Sequence, residues 1–180
     1  MSKLIAIVAL LLPATFFACA TAPKTVEERQ NLEQQARATL QEMLVRDRGL
    51  EGLLDAAAGY VVFPDVGKAA AVVGGAWGRG VLFENGRPTG FVELSQGSIG
   101  AQLGGQSMAE LVVLRDRYAV ARLKNEPFEL GANASAVALT AGAAASATFT
   151  DGVAVFQLPR GGLMVEVSVA GQKLNFEPSG

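Results

Sequence analysis

Histidine is absent from this chain of 180 residues, and cysteine occurs once, at Cys19. The first absence removes Ser-His-Asp and Cys-His nucleophile systems and every imidazole-ligated metal site. The second removes any internal disulfide. Positive charge does not predominate either. Lys and Arg number 15 against 17 Asp and Glu, a net of −2, so the basic face that nucleic acid selects is not expected. No serine sits in a G-x-S-x-G elbow. The glycine-rich stretch Gly74–Gly80 lacks the Lys-Ser/Thr ending of a phosphate-binding loop and the spacing of a dinucleotide fingerprint. Asp65, Glu93 and Asp151 lie beside expected turns without the spacing of an acid/base pair. The chain therefore reads as a non-enzyme, with neither cofactor nor metal expected.

What is present begins at the amino terminus. Lys3 precedes the uncharged segment Leu4–Phe17, which closes as Phe16-Phe17-Ala18-Cys19. The apolar run has the length of a signal h-region and falls short of the ~20 residues that a spanning helix needs. A charged start, a short apolar run and a small residue before cysteine form a bacterial lipoprotein signal. Residues 1–18 are expected to be removed, Cys19 to be acylated, and residues 19–24 to serve as a tether. Cleavage after Ala18-Cys19-Ala20 by ordinary signal peptidase is the alternative. Cutting before Cys19 leaves 162 of 180 residues and, with Lys3 gone, a net charge of −3. That is enough chain for one cored domain, expected over residues 25–180. The implied location is the periplasmic face of the bacterial cell envelope, with the outer membrane preferred because Ala20, not an acid, follows Cys19.

The mature chain divides into a helical entry and a strand-rich body. Thr25 and Glu28 stand at capping-box spacing. Leu32, Ala36, Leu40, Met43 and Leu44 recur at three- and four-residue steps over Val26–Arg48, an amphipathic helix expected to pack on its own domain. Leu50–Ala58 reads as a second, shorter helix. Tyr60–Phe63 is a β-prone run closed by Pro64-Asp65, and Gly74–Gly80 reads as a tightly bent strand pair. Asn85-Gly86 between Val81–Glu84 and Thr89–Leu94 is a hairpin signal. Asp116 is placed to cap a helix ending near Lys124. Leu130–Phe149 carries no charge but consists mostly of Ala, Ser, Gly and Thr with Asn133, too polar for a membrane span. It reads as long strands of small residues. Val153–Leu158, the alternating Leu163–Val169 and Gln172–Glu177 complete the strands. The expected fold class is α+β, a mostly antiparallel, strongly curved, barrel-like sheet with N-terminal helices.

Several motifs in order resemble the SYLF lipid-binding domain family. They are Ala58-Gly59-Tyr60-Val61-Val62-Phe63-Pro64-Asp65-Val66-Gly67-Lys68, then Gly74–Leu82, then Gly97-Ser98-Ile99-Gly100-Ala101-Gln102-Leu103-Gly104-Gly105-Gln106, then Leu130–Ala134 and Gly161–Gly171. The resemblance spans roughly Asp55 to Glu177. It implies a non-enzymatic domain that binds phospholipid, and the partner expected here is a phospholipid membrane with anionic lipids. Of the family's basic positions, Lys68 is the one that can be placed. Arg79 and Arg160, single cations near expected turns, join it as candidate head-group contacts. The stretch Thr89–Ser95 departs from the family's aromatic, serine- and proline-bearing pattern, and Val26–Arg48 lacks the basic character of the lipid-contacting helix in some eukaryotic members. The first rival reading is an envelope-interaction lipoprotein whose only lipid contact is its anchor, and the second is an enzyme using carboxylates.

Overall fold

A computed structural model describes residues 23–69, 73–99, 106–160 and 169–179. Two helices come first, α1 (Val26–Arg46) and α2 (Gly49–Ala56). Four strands follow: β1 (Gly59–Ala69), β2 (Val73–Glu84), β3 (Arg87–Ile99) and β4 (Gln106–Leu114). Then come α3 (Arg117–Asn125), β5 (Phe128–Glu129), β6 (Ala136–Ala138), β7 (Val153–Pro159) and β8 (Lys173–Pro178). The eight strands form one sheet in the order β5-β8-β3-β2-β1-β4-β7-β6. Every neighbouring pair is antiparallel except β6 with β7. The sheet curls strongly into an open half-barrel, so the α+β expectation with N-terminal helices holds.

The pleat sends alternate side chains to two separate cores. On one face Val61, Phe63, Leu82, Val92, Val112 and Val155 pack with Ala119, Val120 and Leu123 of α3. On the other, Val62, Val81, Phe83, Leu111, Val113 and Phe156 pack with Ala36, Leu40 and Met43 of α1 and Leu50 of α2. The central strands are therefore apolar on both sides, and both must be covered. Helix α1 covers the second face with its periodic stripe. Its start is fixed by the capping box, in which Glu28 N–H donates to Thr25 Oγ1 at 3.1 Å and Thr25 N–H returns a bond to Glu28. Within the α3-side core, Gln157 and Gln172 donate to Glu110 Oε2 at 2.6 and 3.2 Å, joining β4, β7 and the entry to β8.

Three expectations change. Pro64-Asp65 does not end the first strand. β1 continues to Ala69, and a register shift between Val62 and Asp65 absorbs the proline, which has no N–H to offer a ladder. Gly74–Gly80 is no strand pair but part of the single twelve-residue strand β2. Leu130–Phe149 forms only the three-residue β6 and a 3-10 turn at Ala143–Ser146, entered through Gly142 at φ +83°. Alanine and glycine have little branched surface to hold a pleated ladder, so local turns win. The Asn85-Gly86 hairpin is as expected, both residues having positive φ, 50° and 71°. Asp116 caps α3 by accepting from Ala119 N–H at 2.9 Å. The signal segment, Cys19, the motif residues Gly100–Gly105 and the segment Leu163–Ser168 lie outside the described residues.

Asp47 ties the helical layer together. It ends α1 and is 5% exposed. Its carboxylate accepts from Gly49 N–H at 2.9 Å and from Ala144 N–H at 2.7 Å. The backbone bond from Ala144, aided by those from Gly49 and Gly142, outweighs burial and holds the carboxyl below its ordinary range. A carboxyl lowered on folding stabilises at neutral pH and loses that contribution as pH falls below about 4. Asp47→Ala is expected to cost about 2 kcal/mol in urea unfolding at pH 7. The gap to the parent protein should narrow on acidification towards pH 3; a gap that stays constant contradicts the assignment.

Candidate functional site

Register across five strands lays one row of residues on the α1 face. Ser107 of β4 pairs with Gly67 of β1, Gly67 with Trp77 of β2, Trp77 with Ser95 of β3, and Ser95 with Lys173 of β8. Arg160 extends the row beyond β4, its N–H donating to Ser107 O at 2.9 Å. Directly opposed residues share a face, and strands lie about 4.8 Å apart, so the row spans about 24 Å. Cations stand at its two ends. Trp77, the single tryptophan of the chain, stands between them and is 48% exposed. Ser95, Arg160 and Lys173 are exposed as well.

Helix α1 bonds the row's Arg160 end and leaves the part from Trp77 to Lys173 open, because it crosses from β3 towards Arg160. Arg29, near its start, lies over the Phe91 ring of β3 at 5.7 Å, while Thr39 and Glu42, farther along, reach Arg160. Beside the helix runs a groove of about 320 Å³ lined by Leu32, Gln35, Pro64, Asp65, Trp77 and Arg79. The indole lies against Gly67, where a Cβ would meet ring atoms at 3.7 Å. That distance is ordinary van der Waals contact, so the ring packs directly on the backbone of β1.

The next row on the same face reads Asp65, Arg79, Glu93 and Asn175. Arg79 thus stands between two carboxylate-bearing strands. Ser107 Oγ donates to Asp65 Oδ1. The Glu28 carboxyl is held below its usual range by the backbone N–H groups of Lys24 and Thr25, with a smaller contribution from the charge of Arg79. These acids mute the long-range field of Arg79, so this corner acts by contact more than by steering.

The three sequence-chosen cations have different placements. Arg79 is exposed at the groove. Arg160 is on the same face but engaged, its guanidinium pairing with Glu42 and donating to Thr39 Oγ1 at 3.0 Å. Lys68 is in register with Ala76 and Gln106, the alternate row of the pleat from Trp77 and Arg79, and its side chain lies outside the described residues. Trp77 and Lys173 were not singled out as site residues. The available signal was the half-buried sheet pattern of β8, which puts Lys173 outward beside the inward Leu174. A second groove, of about 460 Å³ near Tyr60 and Asn85, has Glu51 and Asp55 in its lining and no cation. Among the described residues no three His, Cys, Asp or Glu side chains gather as a metal cluster, and no helix is long and apolar enough to cross a membrane. The open row offers a flat aromatic, small polar residues and flanking cations, a surface suited to binding.

Residues 95–179 match the family model described as Ysc84, Las17-binding protein actin regulator. No curated protein matches the chain. Strands β1 and β2 precede the matched residues yet occupy the middle of the same sheet, so Trp77 and Arg79 come from outside the match, and Lys173 from inside it.

The row should be dispensable for folding. Trp77→Ala and Lys173→Gln are each expected to change unfolding free energy by less than about 1 kcal/mol. Arg160→Gln should do the same, because its ion pair with Glu42 is part-exposed on both sides. Leu40→Ala, in the α1 stripe, should cost about 3 kcal/mol. Urea titrations of the four variants test this, and a loss above 2 kcal/mol for Trp77→Ala would mark the row as structural.

Proposed function

From the SYLF family, a family of binding domains to which the chain belongs across residues 95–179, we propose a non-enzymatic phospholipid-binding protein held at the bacterial cell envelope by acylated Cys19. The folded domain takes the head groups of anionic lipid. The observation that carries this reading is the open row on the α1 face, with Trp77 at its centre and Arg160 and Lys173 at its ends. Arg79, one row away, supplies a further cation for a lipid phosphate, and Lys68 is retained as a candidate on the family resemblance. Arginine and lysine are the side chains that meet phosphate oxygens, and tryptophan is at home where water gives way to hydrocarbon.

The family description names Las17 binding and actin regulation. An exported chain tied to an envelope membrane meets phospholipid and not actin, so the lipid reading is preferred. The periplasmic face, with the outer membrane preferred, follows from the Cys19-Ala20 signal.

Residues 20–180, lacking the acylation site, should co-sediment with anionic vesicles, less with neutral ones, and less as salt rises. Removing a contacting cation near an anionic surface forfeits about 1 kcal/mol, roughly fivefold in affinity. Arg79→Gln and Lys173→Gln should each show that loss, and the combined Lys68, Arg79 and Arg160→Gln variant should fall further. No sedimentation at low salt would leave the anchor as the sole lipid contact and favour an envelope scaffold.

A further inference from the structure

The root of the tether is fixed to the same face of the sheet as the open row. Pro23 is buried, and Arg29 Nε donates to its carbonyl at 3.2 Å. Arg29 in turn lies over Phe91 of β3 at 5.7 Å. Phe91 and Ser95 belong to one strand, and their four-residue separation is about 13 Å of extended chain. Cys19 precedes Pro23 by four residues, which span at most about 14 Å. A tether of that length keeps a lipid carried on Cys19 within reach of the α1 side of the sheet, the side on which Trp77 stands.

We propose that the row centred on Trp77 is the surface with which this domain lies on the bilayer that holds its own anchor. This rests on the proposed acylation of Cys19. The occupant is a phospholipid surface and not a protein, for three reasons on the same face. The short tether and its pinned root leave little distance between this face and the anchoring membrane. The half-exposed indole lies against Gly67 beside Ser95, without a bulky neighbour in its row to keep it from the interface. Lys173 at one end of the row can reach head-group phosphates beside the ring, while Arg160 at the other end is held by Glu42 and Thr39 of α1. A domain held in this way binds its ligand in cis. The anchor supplies a high effective concentration, so the weak field around Arg79 is sufficient for contact.

The single tryptophan and single cysteine make the test direct. Residues 19–180 keep every described residue and can be coupled through Cys19 to a maleimide-bearing lipid in anionic vesicles. Attachment then depends neither on acylation in the cell nor on the domain's own affinity. Emission from Trp77 should move to shorter wavelength on coupling, and brominated acyl chains should quench it. Lys173→Gln should reduce that quenching while leaving coupling complete. Emission and quenching unchanged from the uncoupled chain would overturn the proposal and leave the row for a protein partner. Vesicle sedimentation of residues 20–180 reads the domain's own affinity separately, so failure of lipid binding and failure of this orientation give different results.

Discussion

The fold depends on two-sided burial of its central strands. β1, β4 and β7 carry apolar side chains on both faces, and a sheet of that kind is stable only when each face is covered. The α3 face is covered by α3 and by the sheet's own curl. The other face receives α1, α2 and the short turn at Ala143–Ser146, clasped by Asp47. Glu110, Gln157 and Gln172, all fully buried, are joined by hydrogen bonds inside the α3-side core, which limits the cost of placing polar groups there.

Cover on the α1 face stops short of one end of the sheet. A single helix lying obliquely cannot shield eight strands, and the uncovered positions are filled by glycine, serine and charged residues in place of aliphatics. Trp77 is the exception, a large apolar side chain left at the opening. Arg160 shows how the margin is managed, bonding α1 through Glu42 and Thr39 while ending the row. The site is thus the part of the sheet that the helical layer does not reach.

Much of the fold was legible in the sequence, because periodicity and caps are local signals. The stripe Leu32–Met43, the Thr25/Glu28 box, Asn85-Gly86 and Asp116 each specify their own conformation within a few residues. What was not legible depended on partners distant in sequence. Pro64 reads as a strand end until the pairing irregularity opposite β2 and β4 accommodates it. Gly74–Gly80 reads as a bend until β1 and β3 hold it extended on both sides. The small residues of Leu130–Phe149 alternate in no pattern that separates strand from turn. The site was half legible for the same reason. Arg79 could be chosen by charge, but its partnership with Trp77 and Lys173 exists only through the register of β2, β3 and β8, which joins residues nearly a hundred positions apart.

The proposed lipid site is the α1 face of the sheet at its Trp77 end. Nuclear magnetic resonance of residues 20–180 with short-chain anionic phospholipid carrying a head-group nitroxide tests it most directly. Broadening centred on the Trp77 indole and on the side chains of Ser95 and Lys173 is the predicted result. Broadening centred on α3, or on the groove beside Tyr60, or none at saturating lipid, would contradict it.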